Sequence, residues 1–191
     1  TRRGLPFVRY ADDSMIFCKS KRAAKRVKES ITRFIEGKLH LKVNRDKTIV
    51  SYVKGVKYLG YSFYVMKGKC QLTVHAKAKA KMKAKLKELT SRSNGWGYAK
   101  RKQKLEEYIK GWVGYYHLAN MKRFLIEMDE WLRRRLRMCI WKSWKRVKTK
   151  VANLVKCGID KYQAYLWGNS RLGYWRIAGS YILSRAITNE K

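Results

Sequence analysis

The sequence predicts an α+β protein, with a β-rich part over residues 1–75 and a mostly helical part over residues 76–191. Before residue 76, short runs of β-branched and aromatic residues are separated by turn residues, which is the pattern of hairpins. After it, apolar residues recur at helical spacing among lysines and arginines. A single proline in the chain excludes proline-rich linkers.

The composition is that of a folded protein that binds a polyanion. Its 47 Lys and Arg against 13 Asp and Glu give a net charge of +34, far more than solubility requires of a small domain. Its 13% of aromatic residues exclude a disordered chain. Four dispersed cysteines and three scattered histidines form neither a disulfide framework nor a zinc motif. Without an 18-residue apolar run or a signal peptide, we expect a cytoplasmic protein in a reducing compartment, with no membrane partner.

The first predicted elements are a hairpin and an amphipathic helix. Residues 7–11 and 14–18 are rich in β-formers and flank a turn at Asp12-Asp13. Ser20 is a suitable N-cap for a helix that ends near Glu36, with Gly37 as its stop. Five apolar residues share one face of this helix: Ala24, Val27, Ile31, Phe34 and Ile35.

Further strands are predicted over residues 41–43, 48–53, 56–66 and 70–74, and the last two form a hairpin across Lys67-Gly68-Lys69. From Ala76, apolar residues and lysines alternate strictly, which taken alone is a strand pattern. Because alanine, lysine, leucine and methionine are helix formers, we predict a helix instead. At 100° per residue its apolar stripe contains Ala78, Met82, Leu86 and Leu89.

More helices are predicted over residues 99–119, 121–146, 150–157 and 160–167, followed by a turn-rich end. Gly111 and Gly114 would let another helix approach the first of these closely. The second should pack on the first through an inner stripe of Leu125, Met128, Leu132, Leu136 and Cys139. Its outer face is basic: Arg133, Arg134, Arg135, Arg137, Lys142, Lys145 and Arg146.

Tyr10-Ala11-Asp12-Asp13 is the motif that carries chemistry. Adjacent carboxylates between apolar strands repel each other, and Mg²⁺ with phosphate ligands relieves that repulsion. In two-metal phosphoryl transfer, such carboxylates hold ions about 3.5–4 Å apart over the attacking and leaving oxygens. The alternative is a solvated Asp-Asp turn without a metal.

Three segments of the first part resemble reverse transcriptases of the group II intron-encoded and retron type. Residues 7–13 resemble their palm hairpin, and residues 41–48 resemble the next palm segment. Residues 56–63 resemble the strand and turn called the primer grip. The three segments occur in the order found in that family.

The second part resembles the maturase-specific region of group II introns. The resemblance lies in residues 108–116 and 131–142, and residues 171–178 fit the bacterial branch of that family. Simple retron enzymes lack this region. The chain is therefore similar to the C-terminal part of a bacterial group II intron-encoded reverse transcriptase and maturase. Residues 1–75 would be the end of the palm, and residues 76–191 the thumb and maturase domain.

The resemblance implies roles for the motif residues. Asp12 and Asp13 would be catalytic ligands of Mg²⁺ in a two-metal site, which needs a third carboxylate from an earlier palm strand. That strand and the fingers would belong to a missing N-terminal portion, so we expect this chain alone to be inactive. The residues that position the primer would be Tyr10, Lys57, Tyr58, Leu59 and Gly60.

The expected partners are intron RNA, an RNA template with a DNA primer, and deoxynucleotides in the intact enzyme. The chain would act in the cytoplasm as a ribonucleoprotein with intron RNA, at DNA. Because few acids lie nearby, we expect phosphate contacts from the basic residues of two helices. These are Lys77, Lys81, Lys85, Arg133, Arg134, Arg137, Lys142, Lys145 and Arg146.

Aromatic residues in the helical part could stack on bases or fill the core. Trp112, Tyr115 and Tyr116 lie at helical spacing, for which a core position is the more common outcome. Trp141 and Trp144 lie among basic residues, so they are better candidates for an RNA surface. Two other functions stay open: a non-catalytic RNA-binding splicing module, and a basic DNA-binding protein whose Asp-Asp turn is incidental.

Overall fold

The computed structural model describes residues 4–188, and the contacts divide the chain into two units, Thr1–His75 and Ala76–Lys191. In the part described, the first unit contains one long helix and two small antiparallel sheets, and the second contains seven helices. The chain is thus mixed α+β, as the sequence predicts. No helix within residues 4–188 is both long and apolar enough to cross a bilayer.

The chain enters the first unit through a β-hairpin. Strand β1 (Phe7–Tyr10) pairs antiparallel with β2 (Asp13–Ile16), so that Tyr10 lies opposite Asp13. The turn therefore consists of Ala11 and Asp12, one residue earlier than predicted, because Asp13 already pairs as the first residue of β2. A two-residue connection suits the twist of antiparallel strands.

Helix α1 (Lys21–Lys38) begins as predicted and ends later. The Ser20 hydroxyl accepts a hydrogen bond of 3.2 Å from the amide of Ala23 and so caps the first turn. The predicted stop at Gly37 is wrong, since the helix runs through it to Lys38. The residue with a left-handed backbone is His40, two positions beyond the last helical residue (φ 49°).

Residues 41–52 form no strand, so the strands predicted over residues 41–43 and 48–53 are wrong. Local bonds occupy this backbone instead. The amide and hydroxyl of Thr48 both donate to the Asn44 carbonyl, and the Asn44 side chain accepts from the amide of Lys47. Such local bonds compete with strand pairing. A short 3₁₀ turn, Val53–Gly55, follows.

A three-stranded antiparallel sheet closes the first unit: β3 (Lys57–Tyr58), β4 (Tyr61–Met66) and β5 (Lys69–Val74). The predicted strand over residues 56–66 is divided, because Leu59 and Gly60 both have positive φ (50° and 82°) and form a hairpin turn. The predicted hairpin between the last two strands is confirmed, with Lys67-Gly68 as its turn.

The second unit begins with α2 (Ala76–Leu89), α3 (Tyr98–Tyr115) and α4 (Lys122–Ser143). The helix prediction for the lysine-alternating segment is confirmed. A first core cluster lies among the three helices: Met82, Leu86, Leu89 and Leu105 are buried, with Leu132 and Leu136 packed against them.

Gly111 and Gly114 do not mediate a close helix approach. Both face outward on α3, and nothing described lies within 4 Å of a Cβ added at either position. That prediction is therefore wrong. Helices α3 and α4 also end at residues 115 and 143, three or four residues before the predicted ends.

The chain continues as α5 (Val147–Lys156), α6 (Lys161–Gly168), α7 (Tyr174–Ala178) and α8 (Tyr181–Ala186). The end that was predicted to be turn-rich has turns or irregular backbone at residues 169–173 and 179–180, but it also contains the two short helices α7 and α8, which were not predicted. Gly173 and Gly179 flank α7, and the Ser180 hydroxyl caps α8, so the residues that indicated turns are helix caps. These short helices complete a second core cluster: Trp141, Leu154, Ile159, Ala164, Ile177, Ile182, Leu183 and Ala186.

Candidate active site and nucleic-acid interface

The two adjacent carboxylates lie at the tip of the β1–β2 hairpin. Asp12 is in the turn and Asp13 begins β2, and both are exposed. The turn is held by the Arg9 Nε, which donates a 2.9 Å hydrogen bond to the carbonyl of Ala11, a residue with left-handed backbone (φ 50°). The hairpin therefore presents two carboxylates to solvent on a short, self-bonded turn.

These carboxylates can supply only part of a magnesium site. Within residues 4–188, no three His, Cys, Asp or Glu side chains lie close enough together to hold a metal ion. Mg²⁺ uses oxygen ligands in octahedral geometry and usually keeps several waters beside one or two carboxylates. Asp12 and Asp13 have the right ligand chemistry, and a two-metal site needs a further carboxylate.

The predicted primer-positioning residues lie on both sheets of the first unit. Tyr10 ends β1, whereas Lys57 and Tyr58 form β3 and Leu59-Gly60 form the following turn. The Gly60 carbonyl accepts a 2.9 Å hydrogen bond from the amide of His75, which ties the turn to the end of β5. The Tyr58 hydroxyl is buried without a hydrogen-bond partner among the described residues.

Helix α2 carries its lysines on two flanks. Lys79 lies over the Phe124 ring and Lys83 over the Trp131 ring, with 5.2 and 5.5 Å from each Nζ to the ring centroid. The flank predicted to bind nucleic acid contains Lys77, Lys81 and Lys85, of which Lys85 pairs with Glu88 at 2.7 Å. Hence one lysine flank packs on α4, and Lys77 and Lys81 are exposed on the other.

The outer arginines of α4 have partners within the protein. Arg133 pairs with Asp129 at 2.7 Å. Arg134 donates bonds of 2.9 and 3.2 Å to the Trp175 carbonyl, and its guanidinium lies 4.1 Å from the centroid of the Trp175 ring.

Arg137 bonds to the end of α7 and to α8. It donates to the Ser184 hydroxyl at 2.7 Å and to the Ala178 carbonyl at 3.4 Å. Burial lowers the pKa of Arg137, and so does the proximity of Arg133 and Arg134. Arg134 and Arg137 thus hold α7 and α8 against α4, and their joint contact with RNA stays a prediction.

The partners of a second group of cations were not anticipated, because these residues bind the end of α2 and the loop after it rather than an anion. Arg135 donates to the Thr90 hydroxyl (2.5 Å) and to the carbonyls of Lys87 and Thr90 (3.1 and 3.0 Å). Lys142 donates to the Arg92 carbonyl at 2.9 Å. Carbonyls at a helix C-terminus lack intrahelical partners, and cations there are stabilising.

Arg101 belongs to the same group and is only 8% exposed. It donates to the Asn94 side chain at 2.9 Å and to the Ser91 carbonyl at 3.3 Å, while its Nε has no partner in the part of the chain described. A sequence signal for this position exists. Arg101 lies four residues before Leu105 and therefore continues the buried stripe of α3.

The aromatic predictions divide into two outcomes. Tyr116 is buried and Trp112 packs against the first core cluster, so their predicted core position is confirmed. Tyr115 is 54% exposed, so the core position predicted for it is wrong. Trp141 is only 2% exposed and lies in the second core cluster, so its predicted place on an RNA surface is wrong. Trp144 is half-buried, 5.8 Å from Trp141 between ring centroids. Lys145 and Arg146, in the link from α4 to α5, are exposed.

Two comparisons with protein families match separate segments of the chain. Residues 1–63 match the reverse transcriptase (RNA-dependent DNA polymerase) family, which places the carboxylate hairpin in a class of nucleotidyltransferases. Residues 79–158 match the group II intron, maturase-specific domain. Together the two matches support the resemblance of the chain to the C-terminal part of a group II intron reverse transcriptase and maturase. No protein of the curated collection is similar enough to the chain to count as a match.

Proposed function

We propose that the chain is the palm end, thumb and maturase domain of an RNA-directed DNA polymerase that also assists splicing of its group II intron. The observation that carries this proposal is the order of features in one chain. A Tyr-Ala-Asp-Asp hairpin lies in the segment matching reverse transcriptases, and a basic helical segment matching the maturase-specific domain follows it. Residues 1–75 would serve polymerisation, and residues 76–191 would serve RNA binding.

In this proposal Asp12 and Asp13 hold Mg²⁺, the ion that reverse transcriptases use. Bound there, the ion would stabilise charge on the attacking and leaving oxygens during deoxynucleotide addition. The exposed hairpin tip supports this role, because both carboxylates are open to an incoming primer end and nucleotide. The third carboxylate and the nucleotide-binding fingers would come from the remainder of the polymerase.

The primer strand would pass the β3–β4 turn. Leu59 and Gly60 form a tight turn with positive φ, so the backbone here is fixed before the primer binds. Lys57 is exposed and could contact a phosphate, whereas the half-buried Tyr58, whose hydroxyl is buried, would support the turn. Tyr10, which is exposed beside the carboxylates, would contact the primer end.

Intron RNA would be bound chiefly by exposed cations of the second unit. Lys77 and Lys81 on α2, and Lys145 and Arg146 after α4, point to solvent and can contact phosphates. Five residues of the predicted set are held by bonds to the protein itself, and we expect a smaller contribution from them: Lys85, Arg133, Arg134, Arg137 and Lys142. The complex would function as a cytoplasmic ribonucleoprotein that acts at DNA.

The alternative is a splicing module that binds intron RNA without catalysing polymerisation. The match to the maturase-specific domain supports RNA binding without polymerisation. Residues 4–188 alone also bring together too few carboxylates for a complete metal site. Substitution at the hairpin separates the two functions.

The test is Asp12→Ala in the intact polymerase, with primer extension and intron RNA binding measured on the same preparation. Removing one metal carboxylate should abolish cDNA synthesis, whereas RNA affinity should stay within about twofold, because phosphate contacts come from cations elsewhere. Asp129→Ala on α4 is the matched control, since it removes a carboxylate distant in sequence from the hairpin. Near-normal extension by Asp12→Ala would contradict the metal assignment. Splicing that persists without extension in the unaltered protein would favour the alternative.

A further inference from the structure

Helices α6 and α8 carry three exposed tyrosines, which we call the tyrosine surface: Tyr162, Tyr165 and Tyr181. They are 68%, 61% and 62% exposed. Tyr162 and Tyr165 lie three residues apart and therefore on one side of α6. Tyr181 of α8 also packs on α6, where its hydroxyl donates a 3.4 Å hydrogen bond to the Gln163 side chain and its ring lies 5.5 Å from the Trp167 ring between centroids.

The backbone beneath this surface is fixed. The Asp160 carboxylate caps α6 by accepting from the amides of Tyr162 and Gln163 at 2.9 and 3.3 Å. At the last turn of α6, Gly168 lies against α5, where an added Cβ would be 2.6 Å from a methyl carbon of Val151. The backbone positions from which the rings project are therefore fixed, which lowers the entropic cost of binding.

Packing within the protein does not account for Tyr162 and Tyr165. Neither hydroxyl is hydrogen-bonded within residues 4–188, and both rings leave most of their area in water. The buried side of α6 is formed instead by Ala164 and Gly168. An exposed group of aromatic rings is typical of a binding surface.

The charge around the surface indicates a polyanionic partner. Between residues 159 and 188 the only acid is Asp160, and its carboxylate is already bonded to the α6 amides. The same segment contains four cations, of which Lys161 and Arg185 are close in sequence to the tyrosines. Aromatic rings in a positive field are how proteins bind unpaired bases: the rings stack on the bases while cations attract the phosphates.

We propose that the tyrosine surface binds unpaired bases of an RNA strand. It lies outside residues 79–158, the segment that matches the maturase-specific domain, and so adds a contact to that domain. The inference rests on the proposed RNA-binding function. Base-paired RNA would not use the surface, because its bases are already stacked within the helix, whereas an exposed tyrosine hydroxyl can also contact a ribose 2′-hydroxyl.

The experiment compares the full chain with Tyr162→Ala/Tyr165→Ala, using a single-stranded oligouridylate and the same strand paired with oligoadenylate. Stacking is worth about a tenfold affinity per base. We expect the double variant to bind the single strand at least tenfold more weakly and to bind the duplex normally. The dependence of affinity on salt should not change, because no cation is removed. Tyr162→Phe/Tyr165→Phe should retain most of the single-strand affinity.

Tyr98→Ala is the matched control, since Tyr98 is a similarly exposed tyrosine at the start of α3. An equal loss in Tyr98→Ala would overturn the proposal, as would unchanged single-strand binding by the double variant. A loss seen only with oligothymidylate DNA would also overturn it. If the alanine variant melts at a lower temperature, Tyr162→Leu/Tyr165→Leu replaces it, because leucine keeps apolar area without an aromatic face. Failure of the unaltered chain to bind either RNA would instead refute the proposed function itself.

Discussion

Arg134 offers a direct test of whether the arginines of α4 serve the fold or the RNA. Its guanidinium lies on the Trp175 ring and donates two hydrogen bonds to the Trp175 carbonyl. Hydrogen bonds from a charged group contribute about 1.5–3 kcal/mol, and an exposed cation–π contact about 0.5–1 kcal/mol. Because water can replace part of the hydrogen bonds and part of the cation–π contact, we expect Arg134→Gln to lower the free energy of unfolding by about 1–2 kcal/mol.

The assay is thermal unfolding of the full chain followed by circular dichroism, together with RNA affinity across salt. A loss of this size should lower the melting temperature by roughly 3–10 °C for a unit of this length. Gly179→Ala tests the same contact without changing charge, since an added Cβ would lie 2.6–2.7 Å from the Arg134 guanidinium. Arg133→Gln is the control, because its ion pair with Asp129 is exposed and worth less than about 1 kcal/mol.

Equal destabilisation by Arg134→Gln and Gly179→Ala, with little effect of Arg133→Gln, would assign Arg134 to the fold. The opposite result refutes the reasoning: an unchanged melting temperature in Arg134→Gln, with a dependence of log affinity on log salt that is shallower by about 0.7–0.9. That change is the loss of one phosphate contact.

Three further predictions concern activity, the core and a buried thiol. The 191-residue chain alone should incorporate no deoxynucleotides on any template, and incorporation above that of an Asp12/Asp13 double variant would contradict this. Shortening the chain after Gly158 should abolish cooperative unfolding, because it removes Ile177, Leu183 and the other α7–α8 residues of the second core cluster; a sharp transition in the shortened chain would disprove it. Burial raises the pKa of the Cys139 thiol above its ordinary 9.0, so the folded state holds this proton more tightly than the unfolded state. The unaltered chain should therefore exceed Cys139→Ala in free energy of unfolding by a constant amount below pH 9, and this difference should shrink above pH 9. Urea unfolding of both proteins on each side of that pH would show the change.

The elements that could be predicted from sequence are those with a strong local signal. A capping serine predicts the start of α1. Helix-forming residues predict the helix over Ala76–Leu89, and a Lys-Gly turn predicts the β4–β5 hairpin. The errors lie where tertiary contacts decide. Residues 41–52 look like strands but bond locally around Asn44, and α7 and α8 are short helices that gain their stability from the core they complete.

The candidate site could likewise be predicted from sequence only in part. The carboxylate pair and its place at a hairpin tip are visible in the sequence, because two of the chain's five aspartates are adjacent between strands. The partners of the basic residues are not visible. Helical periodicity places Arg134 and Arg137 on one side of α4, but the carbonyls they bind lie about 40 residues later in the chain, where the sequence predicted turns.

The partners of the arginines explain how the folded chain tolerates a net charge of +34. With 13 acids for 47 Lys and Arg, most cations have no carboxylate available. Arg134, Arg135 and Arg137 bind main-chain carbonyls, and aromatic rings lie under the first two. Carbonyl and aromatic partners fix the position of a cation without neutralising it. The guanidinium groups therefore stabilise helix ends and still contribute to the positive field of the protein. Under the proposed function, a cation bound by the fold would also help to steer RNA toward the chain. Trp175→Glu would keep the main-chain carbonyl and replace the aromatic contact of Arg134 by an ion pair. This variant should order Arg134 equally well while removing positive field. If intron RNA then associates more slowly at low salt, with the melting temperature unchanged, the field rather than the contact is what the RNA uses.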